Sequence, residues 1–236
     1  MKVRGRNSLE QQILQGAVDG ESADFFSQQP TTSPQPSNDE HNVATSYWWL
    51  HIFDVTHGCG VLHWAAGMGH FALVRYFLAA PPQQASIRDP RSYSSVLVNQ
   101  PAQGNSQGRT PLHYACRNGH LRIAKYLVEE HGAEVNPVEA HHGVSPFQLA
   151  VWRNHLDICQ WLVQDCGVDP GQANAFGCTA IHWLGLVPKP CLNHGDILQL
   201  AKWLSGLVEV RAQQNQGHSV LHKAAWGGHL SLCRYF

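Results

Sequence analysis

Residues 108–121 read Gly108-Arg109-Thr110-Pro111-Leu112-His113-Tyr114-Ala115-Cys116-Arg117-Asn118-Gly119-His120-Leu121. Thr110 suits a helix N-cap, because its hydroxyl can accept a bond from a free backbone N–H. Pro111 falls at the first helical position, where its missing N–H costs nothing. His113 stands at the third position, where a capping box holds Glu or Gln. Gly119 ends the helix, since a residue without a Cβ enters the left-handed conformation easily. A second helix follows, with Leu121, Ile123, Ala124 and Leu127 turned inward, and stops before Gly132. Each helix spans about two or three turns, too few to hold in isolation. Such a hairpin needs neighbours.

The sequence supplies them. Ser145-Pro146-Phe147-Gln148 lies 35 residues after Thr110 and is followed by Asn154-His155-Leu156 and Trp161-Leu162. Thr179-Ala180-Ile181-His182 comes 34 residues later, and Ser219-Val220-Leu221-His222 another 40 later, with Gly228-His229-Leu230 behind it. Upstream, Gly60-Val61-Leu62-His63 and Gly69-His70 open the same pattern, 50 residues before Thr110. Ser145-Pro146-Phe147-Gln148 is a capping box as written, so the histidines of that column are expected to do the same polar work. Motif and period together resemble the ankyrin repeat, with its period of about 33 residues and its Thr-Pro-Leu-His-x-Ala signature. The Gly58 unit departs by lacking Thr-Pro, and the Thr179 unit by lacking the Gly-His turn.

The resemblance implies an all-α ankyrin-repeat solenoid of about five helix–turn–helix units over 55–236. The units are expected near 55–80, 105–137, 140–172, 174–212 and 214–236. Residues 81–104 read as an inserted loop, because Pro, Gln and Ser dominate there. Residues 1–46 read as a disordered tail, since Ser22–Asn42 is too poor in apolar groups to offset its ordering entropy. Residues 47–54, from Tyr47-Trp48-Trp49-Leu50, read as a hydrophobic lid on the first unit. The chain stops at Phe236, inside the second helix of the last unit, without the polar cap a solenoid normally carries.

Composition narrows the function. The formal net charge is −1, with 16 Lys and Arg against 17 Asp and Glu. Without a basic excess there is no electrostatic case for nucleic-acid binding. No stretch approaches the ~20 apolar residues that span a bilayer, so no membrane insertion is expected. Seven cysteines without a C-x-x-C pair favour reduced thiols, and hence a cytoplasmic or nuclear protein.

The 16 histidines raise metal chemistry first. Cys59-x3-His63 and Cys178-x3-His182 each look like half a zinc site. Both fall in repeat columns where other units place Arg109, Val144 or His218 before the cap. The structural reading is therefore preferred: no metal, no cofactor and no catalytic residue is expected. No phosphate-binding loop or hydrolase motif occurs either.

By resemblance, the positions after the paired alanines of the first helix and those flanking each hairpin tip face a concave groove. Carried onto this sequence, they give Arg109, Arg117, Asn118, His141, His142, Trp152, Arg153, Phe176, His218 and Trp226 as partner-binding residues. Tryptophan and arginine are the usual chemistry of interface hot spots. The alternative for Trp152 and Trp226 is packing against the next hairpin. Histidines at groove positions, such as His141, His142 and His218, would make binding pH-sensitive if they titrate near neutrality. The expected function is a monomeric, non-enzymatic scaffold or adaptor that binds another protein. The alternative is a regulatory or targeting segment of a larger enzyme or channel chain, truncated at Phe236.

Overall fold

The computed structural model describes residues 53–79, 90–105, 108–189, 191 and 196–236. The expectations for the tail 1–46 and for 47–52 of the lid lie outside the described residues. Those described fall in one unit, Val43–Phe236. Its helices are α1 Val61–Gly67, α2 Phe71–Leu78, α3 Pro90–Val98, α4 Pro111–Arg117, α5 Leu121–Lys125, α6 Pro146–Trp152, α7 Leu156–Gln164, α8 Ala180–Leu184, α9 Ile197–Ser205, α10 Val220–Gly227 and α11 Leu230–Tyr235. A π-helical turn, Tyr126–Glu130, extends α5. Among the described residues there is no strand, only an isolated antiparallel bridge between Phe53 and Gly60.

The first helices form a row: α1 packs on α4, α4 on α6, α6 on α8 and α8 on α10. Each also packs on the second helix of its own unit, as α6 does on α7. Leu62, Leu112, Phe147 and Ile181 from the first row and Ile123, Ile158, Leu200 and Leu232 from the second join one continuous core. Cys116 and Cys159 are fully buried in it, and burial pushes both thiols well above their usual range. They act as small apolar groups. All seven cysteines, each among the described residues, are free.

Two columns of polar side chains bridge the units. The backbone N–H of Thr110 donates to His113 Nδ1 at 3.0 Å. His113 Nε2 therefore carries the proton, and it donates to the carbonyl of Val144 in the next unit at 3.1 Å. His63 does the same between Gly60 N–H and the Arg109 carbonyl, each at 3.1 Å. Gln148 replaces the imidazole with an amide: Oε1 accepts from Ser145 N–H at 3.4 Å, and Nε2 donates to Gln172 and Cys178 carbonyls at 3.1 and 3.2 Å. His182 accepts from Thr179 N–H at 3.2 Å, with the carbonyls of Ala212 and His218 alongside.

The second column points the other way. His120, His155 and His229, each capping a second helix, reach back to the preceding unit. Their Nε2 atoms donate to the carbonyls of Gly67, Arg117 and Val187 at 3.0, 3.1 and 2.7 Å. The turn before each is left-handed, with φ of 84°, 61° and 70° at Gly119, Asn154 and Gly228, and Gly69 before His70 matches them at 80°. Gly119 is required twice over, because a Cβ there would sit 2.6 Å from the His155 ring.

One expectation needs correction. The stretch read as a loop, 81–104, contains helix α3. Ser94, Leu97 and Val98 are buried, at the three- and four-residue spacing of one helix face, and α3 packs on α2. Proline- and serine-rich flanks hid that short period. The extra residues of the fourth unit, which lengthen its step to 40, fall between α8 and α9, and Cys191 there is buried.

Burial lowers the His63 and His113 pKa values from 6.5 to about 4, because the charged ring loses its hydration. The neutral form is the native one. The unfolded chain binds protons between pH 6.5 and about 4 while the folded chain does not. Stability is thus full above pH 6.5 and falls as pH drops toward 4. For each buried ring the loss is on the order of 3 kcal/mol across that window. His113→Gln, which installs the Gln148 arrangement, is expected to fold at pH 7 and to lose less stability than the parent between pH 7 and 4.5 in urea titrations. An unchanged slope would mean that His113 is not the titrating bridge. Gly119→Ala is expected to cost at least the about 1–2 kcal/mol of a left-handed non-glycine residue, read as a lower denaturation midpoint.

Candidate functional site

The hairpins that connect the units lie side by side and are tied through their backbones. Gln103 and Gly104 N–H donate to the Gly58 and His57 carbonyls at 3.0 and 3.1 Å. Ala175 N–H donates to the His142 carbonyl at 2.9 Å, and Asn215 N–H to that of Phe176 at 3.0 Å. One acceptor side chain shapes each tip. Glu139 accepts from the N–H groups of His141 and His142 at 3.1 and 2.6 Å. Asn174 accepts from Phe176 and Cys178 at 3.0 and 2.9 Å, and Gln214 from Gln216 at 2.8 Å. These backbone donors, helped by the charge of His142, hold the Glu139 carboxyl below its usual range against the opposing effect of burial. The acceptors differ in type from unit to unit, so no repeated letter marks them in the sequence.

A cavity of about 460 Å³ opens between the tips and the first helices. Arg109, His142, Trp152, Phe176, Trp183 and Lys223 are among its walls. Four of the ten sequence-predicted residues meet there: Arg109, His142, Trp152 and Phe176. Trp183 and Lys223 were missed. Both stand at the fourth position of a first helix, a column that Trp64, Tyr114 and Leu149 fill in the other units, and its mixed chemistry marked no site.

The other six are placed as follows. Asn118 turns inward and donates from Nδ2 to the Gly67 carbonyl at 2.6 Å, joining its unit to the one before. Arg117 and Arg153 lie by Trp152, with guanidinium carbons 5.7 and 5.5 Å from the ring centroid. His141 is exposed at its tip, its ring 4.8 Å from that of His142. His142 itself pairs with Glu139 at 3.2 Å and lies 5.4 Å from Phe176. His218 Nδ1 accepts from the Gln214 amide at 3.0 Å. Trp226 is 79% exposed, with Lys223 Nζ 5.8 Å from its ring centroid.

The two tryptophans divide between the readings set out above. Trp152 is half-buried and donates from Nε1 to the Leu186 carbonyl of the next unit at 3.0 Å, edge-on to Trp183. It is inter-unit packing that also walls the cavity. Trp226, its equivalent in the last unit of this sequence, stands in the open. Among the described residues, no group of three or more His, Cys, Asp or Glu side chains is arranged to hold a metal ion. None of the described helices is long and apolar enough to cross a membrane.

Repeated capped hairpins, stacked in one row with a groove along the tips, define a class. Residues 40–139, 62–174 and 147–236 each match the family of ankyrin repeats in three copies. The chain belongs to the ankyrin repeat family. It is also similar to palmitoyltransferase AKR1 from the yeast Lachancea kluyveri, 28% identical over 185 residues. That match covers 75% of this chain and 21% of the yeast protein, so the chain spans about a fifth of that relative's length.

Because Trp152 holds two units together and Trp226 does not, their alanine variants are expected to differ. Trp152→Ala should lose about 3 kcal/mol or more of stability, as large aromatic truncations at packed sites do. Trp226→Ala should stay within about 0.5 kcal/mol of the parent, as exposed substitutions do. Chemical denaturation of both variants checks this.

Proposed function

We propose that this chain is a non-enzymatic binding module that captures another protein along its concave groove. The observation that carries the reading is the convergence of Arg109, Trp152, Phe176 and Lys223 on one open cavity. Ankyrin repeats supply protein-binding surfaces, and their stacked units hold such a groove in shape before the partner arrives. A preorganised surface spends little free energy on ordering itself. Arg117, Arg153 and the exposed Trp226, His141 and Phe176 extend the contact on both sides of the cavity. Asn118 has a structural duty and leaves the set of contact residues. A reducing compartment, cytoplasmic or nuclear, fits the seven free thiols.

A second reading has its own support. The similarity to a palmitoyltransferase over a fifth of that protein's length favours a recruiting segment within a longer chain. The groove would then present a bound protein to a catalytic part elsewhere in that chain. The transcript beyond Phe236 decides between the two: an open frame supports the longer chain, and a stop codon supports the free-standing module.

Site-specific photocrosslinking tests the groove. With a photoreactive residue at Phe176 or Gln216, the full chain should give discrete adducts in cells. With the same residue at the exposed outer positions Leu73 or Tyr76, it should not. Adducts from the outer positions alone would remove the groove as the binding face.

A further inference from the structure

The unit built from α10 and α11 presents a face that the other units have covered. Leu62, Leu112, Phe147 and Ile181 share one column of the first helices and are buried. Leu221 holds that column in α10 and is 44% exposed. Ala66, Cys116, Val151 and Gly185 are buried four positions further on, where Ala225 is exposed. Trp152 donates from Nε1 to Leu186 of the unit ahead, whereas Trp226 in the same column stands in the open. On the second helices, Leu121 and Leu156 are half-buried and Leu230 is exposed.

The polar groups of this face are unfinished in the same sense. His222 Nδ1 accepts from Ser219 N–H at 3.2 Å, the bond with which a capping histidine closes its own helix. Its ring is exposed, and Nε2 has no protein acceptor among the described residues. In the same column, His63, His113 and Gln148 donate to the carbonyls of Arg109, Val144 and Cys178, each the residue before the next cap. At the tips, the carbonyls of His142 and Phe176 accept from Ala175 and Asn215 of the unit ahead. The equivalent carbonyl of Gln216 meets no backbone donor among the described residues.

The contacts of α1 with α4, α4 with α6, α6 with α8 and α8 with α10 make the same joint four times over. The α10 face continues that series. We infer that it is the docking surface of a further repeat hairpin, carried by the same polypeptide beyond Phe236. That hairpin offers the carbonyl before its cap to His222 Nε2 and a tip N–H to the Gln216 carbonyl. It also brings an acceptor to Trp226 Nε1 and small apolar groups to Leu221 and Ala225. A hairpin of two short helices does not hold by itself, so it reaches this face as a tethered neighbour, at the high effective concentration that a short linker gives. A second copy of this chain fits less well, because each joint in the stack sets the forward face of one unit on the rear face of the next, and two forward faces do not meet that way. The inference rests on the longer-chain reading above and is independent of the groove.

Hydrogen exchange tests it on the chain ending at Phe236 and on the same chain extended by the next forty residues of its own reading frame. Extension should slow exchange of the α10 and α11 amides at least tenfold, and that of the α4 amides less. Leu221→Glu should abolish this gain and change exchange in the shorter chain less than threefold. His222→Gln, which keeps both bonds as Gln148 does, should preserve the gain, and His222→Ala should cut it at least threefold. If the extended chain is insoluble, a photoreactive residue at Leu221 of the native product replaces exchange. A crosslink to residues after Phe236 supports the inference, and an adduct to another protein, or none, overturns it. A stop codon directly after Phe236 overturns it together with the longer-chain reading. An extension that leaves α10 and α11 exchanging as before overturns the inference alone. So does a dimer of the shorter chain in sedimentation that Leu221→Glu dissociates, which would make a second copy the occupant.

Discussion

The structure depends on a buried imidazole that bonds at both ends. No hairpin among the described residues has enough turns to be stable by itself, so the units must hold each other. Apolar contact supplies most of the attraction but is indifferent to small slips. The bridging side chain is not indifferent. His113 ties the start of its own helix to a carbonyl one unit ahead, and His155 ties its helix to a carbonyl one unit behind. Each satisfies backbone groups that would otherwise be buried without partners, which is costly. Register between units follows from that requirement.

Fixed register has a consequence at the tips. Once the first helices are aligned in a row, the hairpins fall side by side, and the same columns face the same space. What fills those columns varies freely, because nothing in the stack depends on most of them. In this chain they hold arginine, tryptophan and phenylalanine around one cavity. The scaffold is generic to the family, and the lining belongs to this sequence.

Much of this was legible beforehand. The five caps, the left-handed turns and the helix rows could be read because the same letters recur at one period. Gln148 even identified the polar duty of the histidines. What could not be read depends on neighbours in space. Trp152 and Trp226 share a column, yet one bonds to Leu186 of the following unit and the other is bare. Asn118 resembled a contact residue until the Gly67 carbonyl was found beneath it. Glu139, Asn174 and Gln214 shape equivalent turns with different chemistry, so no column of letters announces them. Helix α3 was obscured by flanks whose composition resembles a linker.

The amide at Gln148 gives the array a seam unlike the others. The joints made by His63 and His113 carry an ionisable ring, and acid weakens them together. The joint between the third and fourth units carries none. An acidified molecule therefore loses cohesion on both sides of that joint, where the buried rings of His63, His113 and His182 stand, and the third and fourth units form the pair that stays together longest. Two sections of one solenoid, alike in architecture, thus differ in how long they would endure in an acidic compartment.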